Sequence, residues 1–438
     1  MKKVAFHNLG CKVNSYELDG ISQMFQKRGY EIVDFAQKAD VYIVNTCTVT
    51  NIADHKSRQM LGRARAQNPD AIVVAAGCYV QNDPEGVAAL DIVDIAVGNN
   101  HKSELVDIVE RYIADTGPVV NDLRNDCPYE ELPISATSGH TRAYIKIQDG
   151  CNQFCSYCAI PLARGAARSR PAGDIIAEAE RLARNGYKEV VLTGIHISSY
   201  GLDGEYNRFI REGSVNDALI DIMKRVASVD GIERLRLSSI EPQLLTDDFI
   251  EALSLIPKLC PHFHMSLQSG SDTVLKRMNR HYTAADFAKR VEKLRDTFEH
   301  PAITTDIIVG FPQETEDEFE DTRRFLQQVR PYECHVFKYS RRGGTVADRM
   351  EGHLTDAVKS ARSAVLIEEA QARKVEFMRY YVGKKVRVLA EDTEVIDGRE
   401  CSVGYTPEYV KASIPVTGSG QISEILCFDC GCDRIICW

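Results

Sequence analysis

Two sets of three cysteines carry the clearest chemistry in this sequence. Cys151, Cys155 and Cys158 lie in one short run, Cys151-Asn-Gln-Phe-Cys155-Ser-Tyr-Cys158. Cys11, Cys47 and Cys78 are dispersed, at spacings of 36 and 31 residues. Thiolates are the normal ligands of iron–sulfur clusters, and a four-iron cluster needs four of them. A set that supplies three leaves one iron open to an exogenous ligand, as catalytic metal sites require. For the compact run the alternative is zinc, whose cysteine ligands usually come as two pairs. For the dispersed set the alternative is three buried structural cysteines, because free Cys is a common core residue.

The rest of the composition bears on that choice. The basic start Met1-Lys2-Lys3 is not followed by an apolar h-region, and no apolar run reaches membrane-spanning length. The expectation is a cytoplasmic protein with no membrane partner. In that reducing compartment the spacing of 14 cysteines reads as metal binding or catalysis before disulfides. A net charge of −10 argues against non-specific coating of nucleic acid but leaves room for a local basic groove. Candidates are Arg164, Arg168 and Arg170, and Lys56, Arg58, Arg63 and Arg65. Taken singly, each of these runs reads as a solvated helix face or loop.

The elements that must position the cysteines follow from the apolar pattern. Residues 1–120 alternate short β-branched runs (Val4-Ala5-Phe6, Val41–Val44, Ile72–Ala76) with helical periodicity such as Leu18, Ile21, Met24 and Phe25. That is the signature of an α/β domain with a parallel sheet. Cys11, Cys47 and Cys78 each fall just beyond one of these runs. Strands of a parallel sheet end on one edge, so cysteines remote in sequence can meet there. Gly10 and Gly77 permit close backbone approach, and Asn45 and Thr46 belong to the same crevice or cap helices. Residues 121–140, rich in Pro, Ser, Thr and acidic side chains, read as a linker. From 141 to 373 six strand candidates (142–148, 189–194, 234–239, 262–267, 302–309 and 334–340) alternate with helices. Eight such units make a full TIM barrel, so six make a partial, open-sided one. The stretch 201–216 reads as an insertion or long loop. A long helix over 355–381 precedes a small all-β domain, placed at 374–438.

The compact run, with Tyr157 just before its last cysteine, resembles the signature of radical S-adenosylmethionine (SAM) enzymes. Leu192-Thr193-Gly194, Ser238–Pro242, Ser266–Gly270 and Asp306–Pro312 resemble the strand-end segments that hold SAM in that superfamily. Gly194, Glu241, Gln268 and Ser269 are the candidate SAM contacts. Gln268 equally suits a turn. A strand-end cysteine triad ahead of such a barrel, followed by a β domain similar to a TRAM module, resembles the methylthiotransferases along essentially the whole chain. Leu9–Glu17, Asn45–Thr50 and Gly194–Gly201 resemble the MtaB-type group, which acts on N6-threonylcarbamoyladenosine at position 37 of tRNA. The resemblance implies two 4Fe-4S clusters, one on each cysteine triad, with SAM at the Cys151–Cys158 cluster. It implies insertion of a methylthio group at carbon 2 of the adenine. Expected partners are tRNA, through its anticodon loop, and an electron donor such as flavodoxin or ferredoxin; a monomer is expected. Alternatives are another tRNA adenosine, a ribosomal protein, or a non-catalytic iron–sulfur RNA-binding protein. Two features depart from the family. Residues 374–438 carry 8 Lys and Arg against 10 Asp and Glu. The tail Cys427-Phe-Asp-Cys430-Gly-Cys432-Asp-Arg-Ile-Ile-Cys437 reads as a further metal site or as a peripheral extension.

Overall fold

A computed structural model describes residues 1–114, 119–120, 128–132, 134–136, 141–212, 215–396 and 398–438, with 119–120 and 211–212 described by backbone alone. Much of the expected linker lies outside the described residues. The first unit is a parallel sheet with order β2-β1-β3-β4-β5-β6. Its strands are β1 (Lys3–Asn8), β2 (Glu31–Val33), β3 (Val41–Thr46), β4 (Ile72–Gly77), β5 (Ile95–Val97) and β6 (Val119–Val120). β3 is buried throughout, because helices cover both faces of the sheet. Val4, Ile43 and Val74 pack toward one face, and Ala5, Val44 and Val73 toward the other. The register pairs Asn8 with Asn45 and Thr46 with Gly77, so β1, β3 and β4 end side by side.

The second unit is an arc of six parallel strands. They are β7 (Ala143–Asp149), β9 (Glu189–Gly194), β10 (Arg234–Leu237), β11 (His262–Gln268), β12 (Ala302–Val309) and β13 (Glu333–Lys338). Bridges Leu235↔Leu259 and Ile240↔Met265 join the β10 and β11 segments of two otherwise separate sheets. A two-residue antiparallel strand, β8 (Arg168–Ser169), borders β7, an addition that the apolar pattern did not announce. One face of the arc (Ile145, Leu192, Leu237, Met265) meets the helices; the other turns inward and is largely polar. Residues 203–212 are helical rather than loop. Tyr206 anchors them, buried against His196 at a ring distance of 4.7 Å.

The third unit is a closed barrel, β14-β15-β16-β18-β17. Its strands are β14 (Lys385–Ile396), β15 (Arg399–Tyr405), β16 (Lys411–Ile414), β17 (Ile422–Cys430) and β18 (Ile435–Cys437). The preceding helix runs Asp356–Arg379, so residues 374–379 are helical. The cysteine-rich tail is no peripheral extension. β18 fits between β16 and β17 and closes the barrel, with Cys427 and Cys437 opposite each other and buried.

The candidate active site and its two cysteine sets

The dispersed cysteines meet at the carboxyl edge of the first sheet. Cys11 precedes helix Lys12–Lys27, Cys47 follows β3 directly, and Cys78 opens helix Cys78–Asn82 after β4. The turn at Gly77 has φ +100°, where a Cβ would press to 2.7 Å from Asn45 Oδ1 and 2.9 Å from the Thr46 carbonyl oxygen. Gly10 brings its loop so close that an added Cβ would lie 3.3 Å from the Cys47 Cβ. Asn14 Nδ2 donates to the carbonyls of Leu9 and Thr46, both at 3.0 Å, and Asn45 Nδ2 donates to the Asn14 carbonyl at 2.9 Å. Thr46 Oγ1 donates to the Ala76 carbonyl at 2.6 Å. Asn45 and Thr46 thus tie the loops of the crevice together. Asn99 Nδ2 donates toward Cys78 Sγ at 3.4 Å. Burial pushes the Cys47 thiol up to about 11 and raises that of Cys11. Thiols held so high give up their protons to a metal centre rather than to water.

The compact set occupies the loop beyond β7. Gly150 turns the chain at φ +69°, and a Cβ there would fall 1.9 Å from the Ala166 carbonyl oxygen. The Cys151 amide donates to the Gly165 carbonyl at 3.1 Å, and the Ser156 amide to that of Met278 at 3.0 Å. Burial pushes the Cys158 thiol up to about 12, and that of Cys151 up further. Arg280 Nη1 donates to Cys155 Sγ at 3.1 Å, while its Nη2 pairs with Glu241 just beyond β10. Sequence reasoning missed Arg280. Its only signal was a cation, and cations are common.

The four candidate SAM contacts divide. Glu241 stands beside Cys155 through Arg280. Gln268, at φ +70°, ends β11 and lines the cavity described below. Ser269 turns away, its hydroxyl paired with Thr322 Oγ1 at 3.2 Å and accepting from the Ser271 amide. Gly194 serves close packing, since a Cβ would meet Ile197 and the Gln148 backbone at 2.9 and 3.0 Å. Near Glu241, buried His196 has no hydrogen-bond partner among the described residues on either ring nitrogen, and Ser238 has none among them on its hydroxyl. Burial holds His196 down to about 4, so its ring is neutral. Orphaned polar atoms of this kind suit a ligand with amino, carboxylate and ribose groups. Three thiols with donors aimed at sulfur suit an iron–sulfur cluster. On these observations the residues present fit both clusters and SAM.

One cavity adjoins the compact set and the loop that follows Cys47. A cavity of about 240 Å³ is lined by Thr48 and Thr50 beyond Cys47, by Cys158, and by Gln268, Asp306 and Phe337 of the arc. A larger groove of about 620 Å³ lies elsewhere, at the amino edge of the first sheet near Lys2, Asp40 and Asp94. Behind the cysteines runs a buried ion network. Glu17 accepts from Arg164 and Lys146, both at 2.8 Å, and from Lys102; Asp149 pairs with Lys146 at 2.7 Å and with Arg168 at 3.3 Å. Arg170 pairs with Glu178 at 2.8 Å. Arg164, Arg168 and Arg170 are therefore interior residues, neither a solvated face nor an RNA groove, whereas Lys56, Arg58 and Arg63 are exposed.

Two family models match this chain. The Radical SAM superfamily covers residues 145–326, and the Uncharacterized protein family UPF0004 covers residues 3–98. The chain is 43% identical over 414 residues to the threonylcarbamoyladenosine tRNA methylthiotransferase MtaB of Bacillus subtilis, covering 94% of this chain and 90% of that protein. It is 39% identical to the protein of the same name from Aquifex aeolicus, covering 88% of this chain and 92% of that one. It is 33% identical to a tRNA-2-methylthio-N(6)-dimethylallyladenosine synthase of Alkaliphilus oremlandii, over 91% of this chain and 84% of that one. Among solved structures, the radical SAM methyltransferase TsrM from Kitasatospora setae, with cobalamin and a 4Fe-4S cluster bound, aligns at TM-score 0.53 and 15% identity. That alignment covers 79% of this chain and 74% of that one, a likeness of fold.

Proposed function

The chain belongs to the radical SAM methylthiotransferases of the MtaB type, and from that premise we propose that it inserts a methylthio group at carbon 2 of N6-threonylcarbamoyladenosine at position 37 of tRNA. The observation that carries the reading is the shared cavity. Cys158 and the loop beyond Cys47 line the same 240 Å³. A reaction that joins a hydrogen-abstracting centre to a sulfur source needs both at one substrate atom.

In this reading Cys151, Cys155 and Cys158 hold one 4Fe-4S cluster, and Cys11, Cys47 and Cys78 hold the other. When bound, the first cluster with SAM supplies hydrogen abstraction and the second supplies sulfur. The chain's own residues bind, orient and exclude water. Arg280 holds Glu241 and donates to the Cys155 sulfur, fixing the loop against β10 and β11. Glu241, His196 and Ser238 offer polar atoms to SAM, and Gln268 offers its amide across the cavity. Phe337 and Ile308 give the cavity apolar walls that keep water from a reactive centre.

The anticodon loop of tRNA presents bases that can be splayed out of the stack, which suits a deep site of this kind. Residues 1–120, 141–373 and 374–438 act as the sulfur-donor, radical and TRAM-like RNA-binding domains. The reductant is an electron donor such as flavodoxin or ferredoxin. The enzyme works as a monomer in the cytoplasm, and among the described residues no helix is long and apolar enough to cross a membrane.

The test is a split of two activities. Cys151→Ala, Cys155→Ala or Cys158→Ala is expected to abolish 5′-deoxyadenosine formation from SAM. Cys11→Ala, Cys47→Ala or Cys78→Ala is expected to keep it while stopping methylthiolation, read by mass spectrometry of tRNA nucleosides. A methylthio product from Cys11→Ala would refute the division of roles.

A further inference from the structure

Strands β11, β12 and β13 bring together a further set of metal-ligating side chains. Asp306 and His335 stand directly opposite each other in the β12–β13 register, as do Ile308 and Phe337 two residues further on. Side chains two apart on a strand share a face. Ile308 and Phe337 line the 240 Å³ cavity, and so does Asp306. His264 of β11 completes the group, with its Nε2 3.2 Å from Asp306 Oδ2. The rings of His264 and His335 lie 5.7 Å apart. One ligand atom from each of the three residues lies within 4.8 Å of the other two. None of the three belongs to either cysteine set, and the function proposed above gives none of them a role.

Two imidazoles and one carboxylate are a donor set of mononuclear divalent transition-metal sites. Around an ion at about 2.1 Å, neighbouring donor atoms stand about 3–3.5 Å apart. The His264–Asp306 pair already has that spacing. His335 is exposed, so rotation of its side chain can close the remaining distance. His264 is braced from behind by buried Thr304, whose Oγ1 lies 2.9 Å from its Nδ1 and 3.0 Å from His262 Nε2. With the Thr304 proton given to His262, its oxygen accepts the His264 Nδ1–H. The His264 Nε2 lone pair then faces the Asp306 carboxylate, an arrangement that calls for a proton or a metal ion between them. A hydrogen bond on the far ring nitrogen is the usual device that orients a metal-bound histidine. We propose that His264, Asp306 and His335 bind one divalent transition-metal ion, zinc or ferrous iron, at the cavity wall and apart from both iron–sulfur clusters. Three protein ligands leave coordination positions open, and Asp306 sets them at the cavity. There the ion holds water or a substrate oxygen as a Lewis acid. A plain His264–Asp306 ion pair is the competing reading, and it gives His335 no role.

The test uses zinc as the probe. The cluster-loaded enzyme is dialysed anaerobically against low-micromolar zinc, and zinc and iron per chain are measured. Zinc outcompetes ferrous iron at nitrogen and oxygen donors, so prior occupancy by iron does not hide the site. The wild-type enzyme is expected to take up one zinc beyond its cluster iron. His335→Ala is expected to weaken zinc binding by about tenfold or more while iron per chain stays unchanged. His335 is exposed, so its removal costs the fold little. X-ray absorption at the zinc edge of the wild-type enzyme gives a second readout that depends on no variant. It is expected to show nitrogen and oxygen neighbours with imidazole scattering and no sulfur. Failure of the wild-type enzyme to bind zinc would overturn the proposal. So would unaltered zinc affinity in His335→Ala, or a sulfur shell, which would put the ion on the cysteines. Zinc binding is read without turnover, so this proposal stands or falls separately from the function proposed above.

Discussion

At the scale of single residues, Glu17 concentrates more interaction than any cysteine. It is buried and accepts from Arg164, Lys146 and Lys102, which come from three different segments. Burial alone would raise its carboxyl, but Arg164, Lys102 and Lys146 overrule it and hold Glu17 well below its ordinary 4.5. Asp149 is lowered in the same way, chiefly by Lys146 and Arg164 against its burial. Carboxyls depressed by folding stabilise the native state above their unfolded values, and that contribution is lost as pH falls through and below about 4.5. Wild-type thermal stability is therefore expected to drop steeply on the acid side. Glu17→Gln leaves three buried cations short of a counter-charge and should cost about 3–5 kcal/mol near neutral pH. It should also flatten the acid limb. Melting temperatures from pH 7 to pH 3 check this; an acid limb as steep as in wild type would contradict the assignment.

At the scale of elements, both cysteine sets depend on how strands end. Gly150 leaves β7 at φ +69° with no room for a side chain, because the carbonyl of Ala166 occupies the Cβ position. Gly150→Ala is expected to displace the Cys151 loop without disturbing β1, β3 and β4. Iron per chain should fall by about half on the two-cluster reading, and 5′-deoxyadenosine formation should vanish. Full iron content in that variant would show that the turn does not position the loop. Much of this was legible in the sequence. The apolar runs marked β1, β3 and β4, and Cys11, Cys47 and Cys78 stood just past them. The helix Tyr206–Glu212 was not legible, because glycines and charges around it read as loop and Tyr206 is buried by other segments, His196 among them. Strands β15 and β18 were missed for a similar reason: their sequences are short or broken by polar residues, and closure of the barrel supplies their pairing.

At the scale of the whole molecule, arginines hold the C-terminal barrel to the arc by reaching its backbone. Arg234 donates to the carbonyls of Tyr405 at 3.0 Å and Arg387 at 2.8 Å, and Arg236 to that of Pro407 at 2.9 Å. His262 stacks on Tyr409 at 4.9 Å. Both arginines share Glu189, so Arg236→Met leaves a buried carboxylate with Arg234 alone, at 3.4 Å. Breaking a buried pair costs about 3–5 kcal/mol. The variant is expected to release the barrel to protease near the end of helix Asp356–Arg379 faster than wild type, and to bind tRNA more weakly. Equal resistance to proteolysis would place the attachment elsewhere.

The sequence by itself picked out the two cysteine sets and the strands that present them. Thiol spacing and β-branched periodicity are local properties, and they survive in a string of letters. Only the tertiary structure decided what the charged residues do. Arg164, Arg168 and Arg170 look like surface charges in sequence, but each is satisfied by acids in other segments and lies inside. The same holds for Arg280 at Cys155 and for the withdrawn Ser269 hydroxyl. Whether a charge faces water, a partner or a cavity depends on chain segments that the local sequence does not name.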